Sequence, residues 1–581
     1  MPGTTLGSRS VSARDVARSP FWLRRSPQLT VALFLVPIAA GLLGTVLPAF
    51  GWLPAIGGGS VSLAPWATLF SEPGIGDAIG LTVVTGFTAK VLSVILVFGF
   101  CALVHGRRPG PAGRAVMAPI LAAPHAAMAI GLAFLIAPSG WIVRLLSPWL
   151  TGWLQPPDIA TVQDPYGVAL ALGLLVKEVP YLLLMTITAL GQVPAARHVE
   201  AAAALGYGRT SAWLKLILPQ VYRQVRLPIY AVLAYSLSVV DMALILGPSN
   251  PPTLSVLALR WFTSPDIRMY FPAAAAALLQ LLIVLASIVL WRAGEGVVAH
   301  LGRRWIAQGA RGTLLEPLAW LSTIAVTGLA GLGAVSLADL AVWSLAAGWR
   351  FPDALPAHWS ARAWTGELGT ILWPLKTTLV VALVASVVAL LLVLACLENE
   401  QRRGVAASSR VLWLLYVPLL VPQIAFLFGM QVLLTVFHLN GTLVAVIWSH
   451  LLFVLPYVYL SLADPWRALD KRYARTALSL GARPRRVFLR IKLPLLLRPI
   501  LIAAAIGVAG SVDQYLPTIF AGAGRVVTLT TEAVTLASGG DRRFTGVFGL
   551  LQALIPVAVY GIALGVSGRN RFGGHALGGQ S

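Results

Sequence analysis

The chain is short of charge. Asp, Glu, Lys and Arg make up only 11% of its 581 residues, where a soluble globular protein carries about a quarter. With 57% hydrophobic residues and a mean hydropathy of +0.81, an ordinary soluble domain is excluded. Lysine is scarcer still. The six lysines (Lys90, Lys177, Lys215, Lys376, Lys471 and Lys492) follow Ala, Val, Leu, Leu, Asp and Ile. A P-loop needs its lysine directly after a glycine to reach the phosphates, so this chain carries none. There are two cysteines, Cys101 and Cys396, both in apolar runs and without zinc or disulfide spacing. They read as small buried hydrophobes. The eight histidines are scattered and no H-E-x-x-H is present. His125, His438 and His450 lie in or beside apolar runs and read as packed or interfacial, with a pore-lining position as the alternative. No catalytic residue and no metal site is expected. The ten-residue alternation of an outer-membrane barrel is also missing.

What the chain has is apolar length. Stretches of about 20 residues recur, each enough to cross a hydrocarbon core as a helix. Twelve spans are predicted, at 29–50, 79–104, 116–137, 166–192, 228–247, 273–292, 317–338, 373–397, 411–437, 441–463, 497–520 and 545–567. Trp141 to Leu150 fits a further interfacial helix. The fold class is therefore an all-α polytopic membrane protein. Arg9, Arg14, Arg18, Arg24 and Arg25 precede the first apolar stretch. That stretch exceeds a usual signal h-region and lacks a small-residue cleavage site, so it reads as an uncleaved helix.

Placing both termini in the cytoplasm puts 32 Lys and Arg on inner segments and 8 on outer loops. This bias fixes the expected orientation. It also accounts for the net charge of +22, so a nucleic-acid partner is not expected and the bilayer is.

Two segments repeat at an offset of 275: 200-EAAAALGYGRTSAWLKLILP-219 and 475-RTALSLGARPRRVFLRIKLP-494. Pro180-Tyr181 matches Pro456-Tyr457, Ser238–Asp241 matches Ser511–Asp513, and runs from Thr82 and Thr378 also pair. The chain thus divides into a basic N-terminal segment (1–28), a first half (29–292, core about 75–292), a linker (293–316), a second half (317–567, core about 373–567) and a tail (568–581). Two parallel six-helix repeats imply a pseudo-two-fold axis along the membrane normal. Each repeated loop, at 193–227 and 464–496, reads as a helix, a glycine turn and a short apolar second helix stopped by proline.

The pattern E-A-A, three residues, G, nine residues, I or L, one residue, L-P resembles the EAA loop of permease subunits of type I ATP-binding-cassette importers. Glu200, Ala201, Ala202, Gly206, Leu216, Leu218 and Pro219 fit it. In the second copy Gly481, Ile491, Leu493 and Pro494 fit, but Arg475-Thr-Ala stands in place of Glu-Ala-Ala. The resemblance implies the type I importer permease fold. It also implies coupling loops seated on two copies of a cytoplasmic ABC ATPase, and a periplasmic solute-binding protein as donor. ATP and Mg would be bound by the partner ATPase, with no cofactor on this chain, in a bacterial inner membrane. The fused two-half architecture is similar to iron(III) and thiamine permeases; polyamine systems of that group usually keep two separate permeases. Arg475 predicts unlike docking at the two loops, with Arg483, Arg485 and Arg486 meeting acidic partners or anionic lipid. A rival reading is an ion-coupled transporter of 6+6 helices, which gives the paired loops no role.

Charges within spans are costly, about 2.5–3.5 kcal/mol each on insertion scales. Lys177, Glu178, Asp241 and Asp513 are therefore candidates to border a translocation cavity; the alternative is structural ion pairing between helices.

Overall fold

Proline and glycine punctuate many of the long apolar helices in this chain. A computed structural model describes residues 20–104, 119–309, 311–312, 315–366, 368–404 and 409–569. The expected basic segment through Arg18, the start of the third span and the tail from 570 lie outside those residues.

The first half contains α1 (Phe21–Ala49), α2 (Ala64–Ser71), α3 (Ile75–Val104), α4 (His125–Ile136), α5 (Trp141–Leu146), α6 (Val168–Leu190), α7 (Ala195–Ala204), α8 (Arg209–Ala212), α9 (Leu218–Ser238), α10 (Asp241–Leu246), α11 (Leu254–Phe262) and α12 (Tyr270–Ala307). The second contains α13 (Glu316–Leu345), α14 (Leu368–Arg403), α15 (Ser409–Leu420), α16 (Ile424–Val436), α17 (Leu443–Ala468), α18 (Lys471–Ser479), α19 (Pro484–Val487), α20 (Leu497–Val512), α21 (Leu516–Gly522), α22 (Leu529–Ala537) and α23 (Arg542–Arg569). Strand is confined, among the described residues, to two short antiparallel pairs at 52–53 with 58–59 and 346–347 with 358–359.

Among the described residues nine helices are long and apolar enough to cross a membrane, and up to eleven if each of two bent pairs is one span. The expected fifth span, 228–247, is not among them. α9 begins earlier, carries Arg223 and Arg226, and stops at Ser238, where Val239 is extended. The apolar stretch between Arg226 and that break is too short. The expected ninth span is bent by 105° between Leu420 and Ile424, beside Pro422, and the entry to the eleventh is bent by 75°. The expected sixth span continues to Ala307, and the interfacial helix at Trp141 ends at Leu146.

The halves interlock. α1 packs against α14 and α16 of the second half, while α13, the leading helix of the second half, packs against α3, α4 and α6 of the first. Small residues permit these crossings. A Cβ added at Gly44 would sit 2.8 Å from the Gly429 Cα, and one at Gly131 would meet the Ser336 carbonyl. Gly131 and Gly429 each lie seven residues beyond a proline, Pro124 and Pro422, so the same close approach recurs in each half. The repeat extends to single hydrogen bonds. Thr82 Oγ1 accepts the Leu254 N–H at 2.9 Å, and Thr378 Oγ1 accepts the Leu529 N–H at 2.8 Å.

Candidate functional site

Both repeated loops fold into the same elbow. α7 ends in a glycine, Gly206, at φ +81°, and α18 ends in Gly481, also at φ +81°. Left-handed backbone of this kind favours glycine because it has no Cβ. The Tyr207 N–H donates to Ala202 O at 3.1 Å and the Gly206 N–H to Ala203 O at 2.9 Å. In the second elbow the Ala482 N–H donates to Ala477 O and the Gly481 N–H to Leu478 O, both at 3.0 Å. This is the Schellman arrangement, which satisfies the last carbonyls of a helix. A four-residue helix follows (α8 or α19), then five residues of wider π-type turn at 213–217 and 488–492.

The chain then enters Leu218-Pro219 or Leu493-Pro494. Glu200, Ala201, Gly206, Leu216 and Pro219 are exposed, Ala202 is buried and Leu218 half-buried. Arg475, Gly481 and Pro494 are exposed, with Ile491 and Leu493 half-buried. Arg475 thus occupies the exposed position of Glu200, on a helix none of whose residues is buried.

The elbows are held differently. Trp213 is fully buried and packs on Phe98 of α3, 6.4 Å between ring centroids. Its counterpart Phe488 packs on Trp466 of α17 at 6.1 Å. The second elbow is also pinned by charge at the end of α14. Lys492 Nζ donates to Glu398 Oε2 and Gln401 Oε1, each at 2.7 Å, and Arg402 donates to Glu398 Oε1 at 2.7 Å. Beside them Arg467 of α17 pairs with Glu400 at 3.1 Å. The sequence reading missed these acids; their cluster, Glu398-Asn-Glu400 within an otherwise apolar run, was the available signal.

Within the bundle the four singled-out charges fall into two groups. Lys177 Nζ donates to Ile120 O at 3.0 Å and Ala123 O at 2.6 Å, carbonyls left free where Pro124 interrupts the chain. Glu178 accepts from Ser93 at 3.1 Å and from Ser236 of α9. Both side chains are buried ties between helices of the first half. Asp513 instead reaches across the halves. Its Oδ1 accepts the His125 N–H at 2.6 Å, and its Oδ2 lies 2.5 Å from His125 Nδ1. These two side chains keep 26% and 23% exposure, whereas Lys177 and Glu178 are buried. The His125 ring lies tilted against the Tyr235 ring, with 4.6 Å between centroids. Asp241 opens α10 at the corresponding break and lies within electrostatic range of Asp513 and His125. The sequence favours a packed or interfacial His125 over a pore-lining one; its position directly after Pro124, where a helix restarts, is the available signal for its tie to Asp513. His450 is packed, hydrogen-bonded to Ser511 at 2.8 Å and Thr518 at 2.9 Å.

No group of His, Cys, Asp and Glu suited to a metal occurs among the described residues.

The family described as the binding-protein-dependent transport system inner membrane component matches residues 392–569, from the end of α14 to the last helix. Over 539 residues the chain is 33% identical to the inner membrane ABC transporter permease protein YnjC of Escherichia coli (strain K12), covering 92% of this chain and 94% of that protein. A matched stretch of that length takes in both repeated loops of this chain. The chain therefore belongs to the binding-protein-dependent inner-membrane permease family of ABC transporters.

Proposed function

We propose that this permease imports a small solute received from a periplasmic binding protein, and that its two elbows each seat one copy of a cytoplasmic ABC ATPase. Both termini face the cytoplasm. ATP and Mg are bound by the partner ATPases, and this chain binds no cofactor. ATP-driven closure of the ATPases moves the elbows and rocks the interlocked halves about their common axis, opening the pathway alternately to each side. His125, Asp241 and Asp513 border that pathway, with Lys177 and Glu178 behind them. The solute is a small one such as thiamine or iron(III); polyamine fits the fused architecture less well.

The observation that carries this reading is the recurrence, 275 residues apart, of one elbow with the same glycine angle, the same helix-end hydrogen bonds and the same π-type turn. A single such loop reads equally well as an amphipathic surface segment. Two copies, placed alike in interlocked halves, suit a pair of identical partners. Co-purification tests it: the chain should draw down a cognate ATPase at two copies per permease. Loss of both elbow sequences should abolish the association, and a chain that never retains an ATPase would overturn the reading.

A further inference from the structure

Among the described residues, the contacts of the linker with the two elbows fall on the first. α12 is 38 residues long, about 57 Å at 1.5 Å per residue, close to twice the thickness of a hydrocarbon core. Its overhang runs beside α9, where Glu295 accepts hydrogen bonds from Tyr222 at 2.7 Å and Tyr230 at 2.9 Å. Further along, the Trp305 ring lies 4.4 Å from Lys215 Nζ. Beyond the helix the Arg311 carbonyl accepts the Gly208 N–H at 3.2 Å, and the Gly312 carbonyl accepts from Ser211 Oγ at 2.7 Å. Lys215 and the Arg311 guanidinium also flank the Tyr207 ring, at 5.2 and 5.6 Å. The contacts made by Trp305, Arg311 and Gly312 all land on the first elbow, between its glycine turn and its π-type turn. At Gly206 an added Cβ would meet Arg311, whereas at Gly481 it would point into open space.

We infer that the linker is a strap that sets the first elbow in its coupling position, with Trp305 and Ser211 as positioning residues. Orphan N–H groups at the start of a helix need acceptors, and here the linker backbone supplies one to Gly208. α13 begins at Glu316, four residues past Gly312. It packs on α3 and α4 of the first half and on α23 of the second. A displacement of the first elbow is therefore handed directly to the helix that joins both halves. The second elbow is tied through Lys492 and Glu398 to α14 instead. The two coupling sites are mechanically unlike, and the strapped one drives α13. The strap stands on contacts within this chain; only its role in transport rests on the coupling reading above.

Hydrogen–deuterium exchange of the full chain in nanodiscs tests it, comparing peptides covering 205–219 and 480–494. In Ser211→Ala/Trp305→Ala, exchange at 205–219 rises about tenfold, matching the loss of one hydrogen bond and one cation–π contact. Exchange at 480–494 stays as in the parent. Trp305→Phe, which keeps an aromatic face for Lys215, restores slow exchange when Ser211 is intact. Unchanged exchange at 205–219 in the double variant would overturn the strap. With the partner ATPase present, the double variant should still co-purify with it but transport at least fivefold less solute per ATP hydrolysed. Undiminished transport per ATP with a loosened elbow would overturn the mechanical role. If exchange behaves as stated but no ATPase binds the parent chain, the strap is supported and the coupling reading fails.

Discussion

Gly206 and Gly481, 275 residues apart, hold the same left-handed backbone angle, φ +81°, at the same point of two repeated elbows. An L side chain in this region costs about 1–2 kcal/mol. Gly206→Val and Gly481→Val should each lower ATP-driven uptake severalfold in proteoliposomes. Gly208, at φ −61°, needs no such freedom, so Gly208→Ala should cost less. Equal tolerance at all three positions would show that the turn geometry is unimportant.

The carboxylate of Glu398 is buried with two cations on it, Lys492 and Arg402. Removing one member of a buried pair leaves an uncompensated charge, at a cost of about 3 kcal/mol, while replacing both by apolar groups is often neutral. Glu398→Gln should therefore lower the thermal midpoint in detergent by several degrees and speed exchange at 480–494. Glu398→Leu with Lys492→Met should recover most of that loss. A single variant as stable as the parent would contradict the pinning.

Much of this architecture was legible in the sequence because its signals are local. Apolar length marked the helices, and a strict 275-residue offset marked the elbows. The breaks were harder. Val239 ends α9 without a proline or glycine, so the expected fifth span ran through it, and Pro422 turns the ninth rather than merely interrupting it. Contacts between distant segments were not legible at all. Nothing in the sequence pairs His125 with Asp513, 388 residues apart, or sets the Gly312 carbonyl on Ser211. Lys177 and Glu178 are adjacent in the sequence but do not share a site. A helix turns such neighbours about 100° apart, and each found its own partners.

Asp513 and Asp241 sit at matching breaks in the two halves, near His125. Asp241→Ala combined with Asp513→Ala should abolish uptake while leaving ATPase association intact, as separate assays of transport and co-purification will read. Normal uptake in the double variant would remove these residues from the pathway.

Arg485 and Arg486 are exposed on the second elbow. Exposed charge pairs contribute about 0.2–1 kcal/mol each, so Arg485→Glu with Arg486→Glu should weaken ATPase association about tenfold in a pull-down. Glu200→Ala, on the first elbow, should have an effect of its own that adds to it. Unchanged association and transport in the arginine variant would leave those side chains to the lipid.

The central claim is that transport through this permease is driven by ATP through the two elbows. The direct measurement is uptake of the cognate solute into proteoliposomes holding the permease and its ATPase, with the binding protein supplied on the solute side. The account predicts uptake that requires ATP, hydrolysis that rises when the loaded binding protein is present, and loss of both in a chain carrying Gly206→Val and Gly481→Val. Uptake sustained by an ion gradient without ATP or ATPase would contradict it.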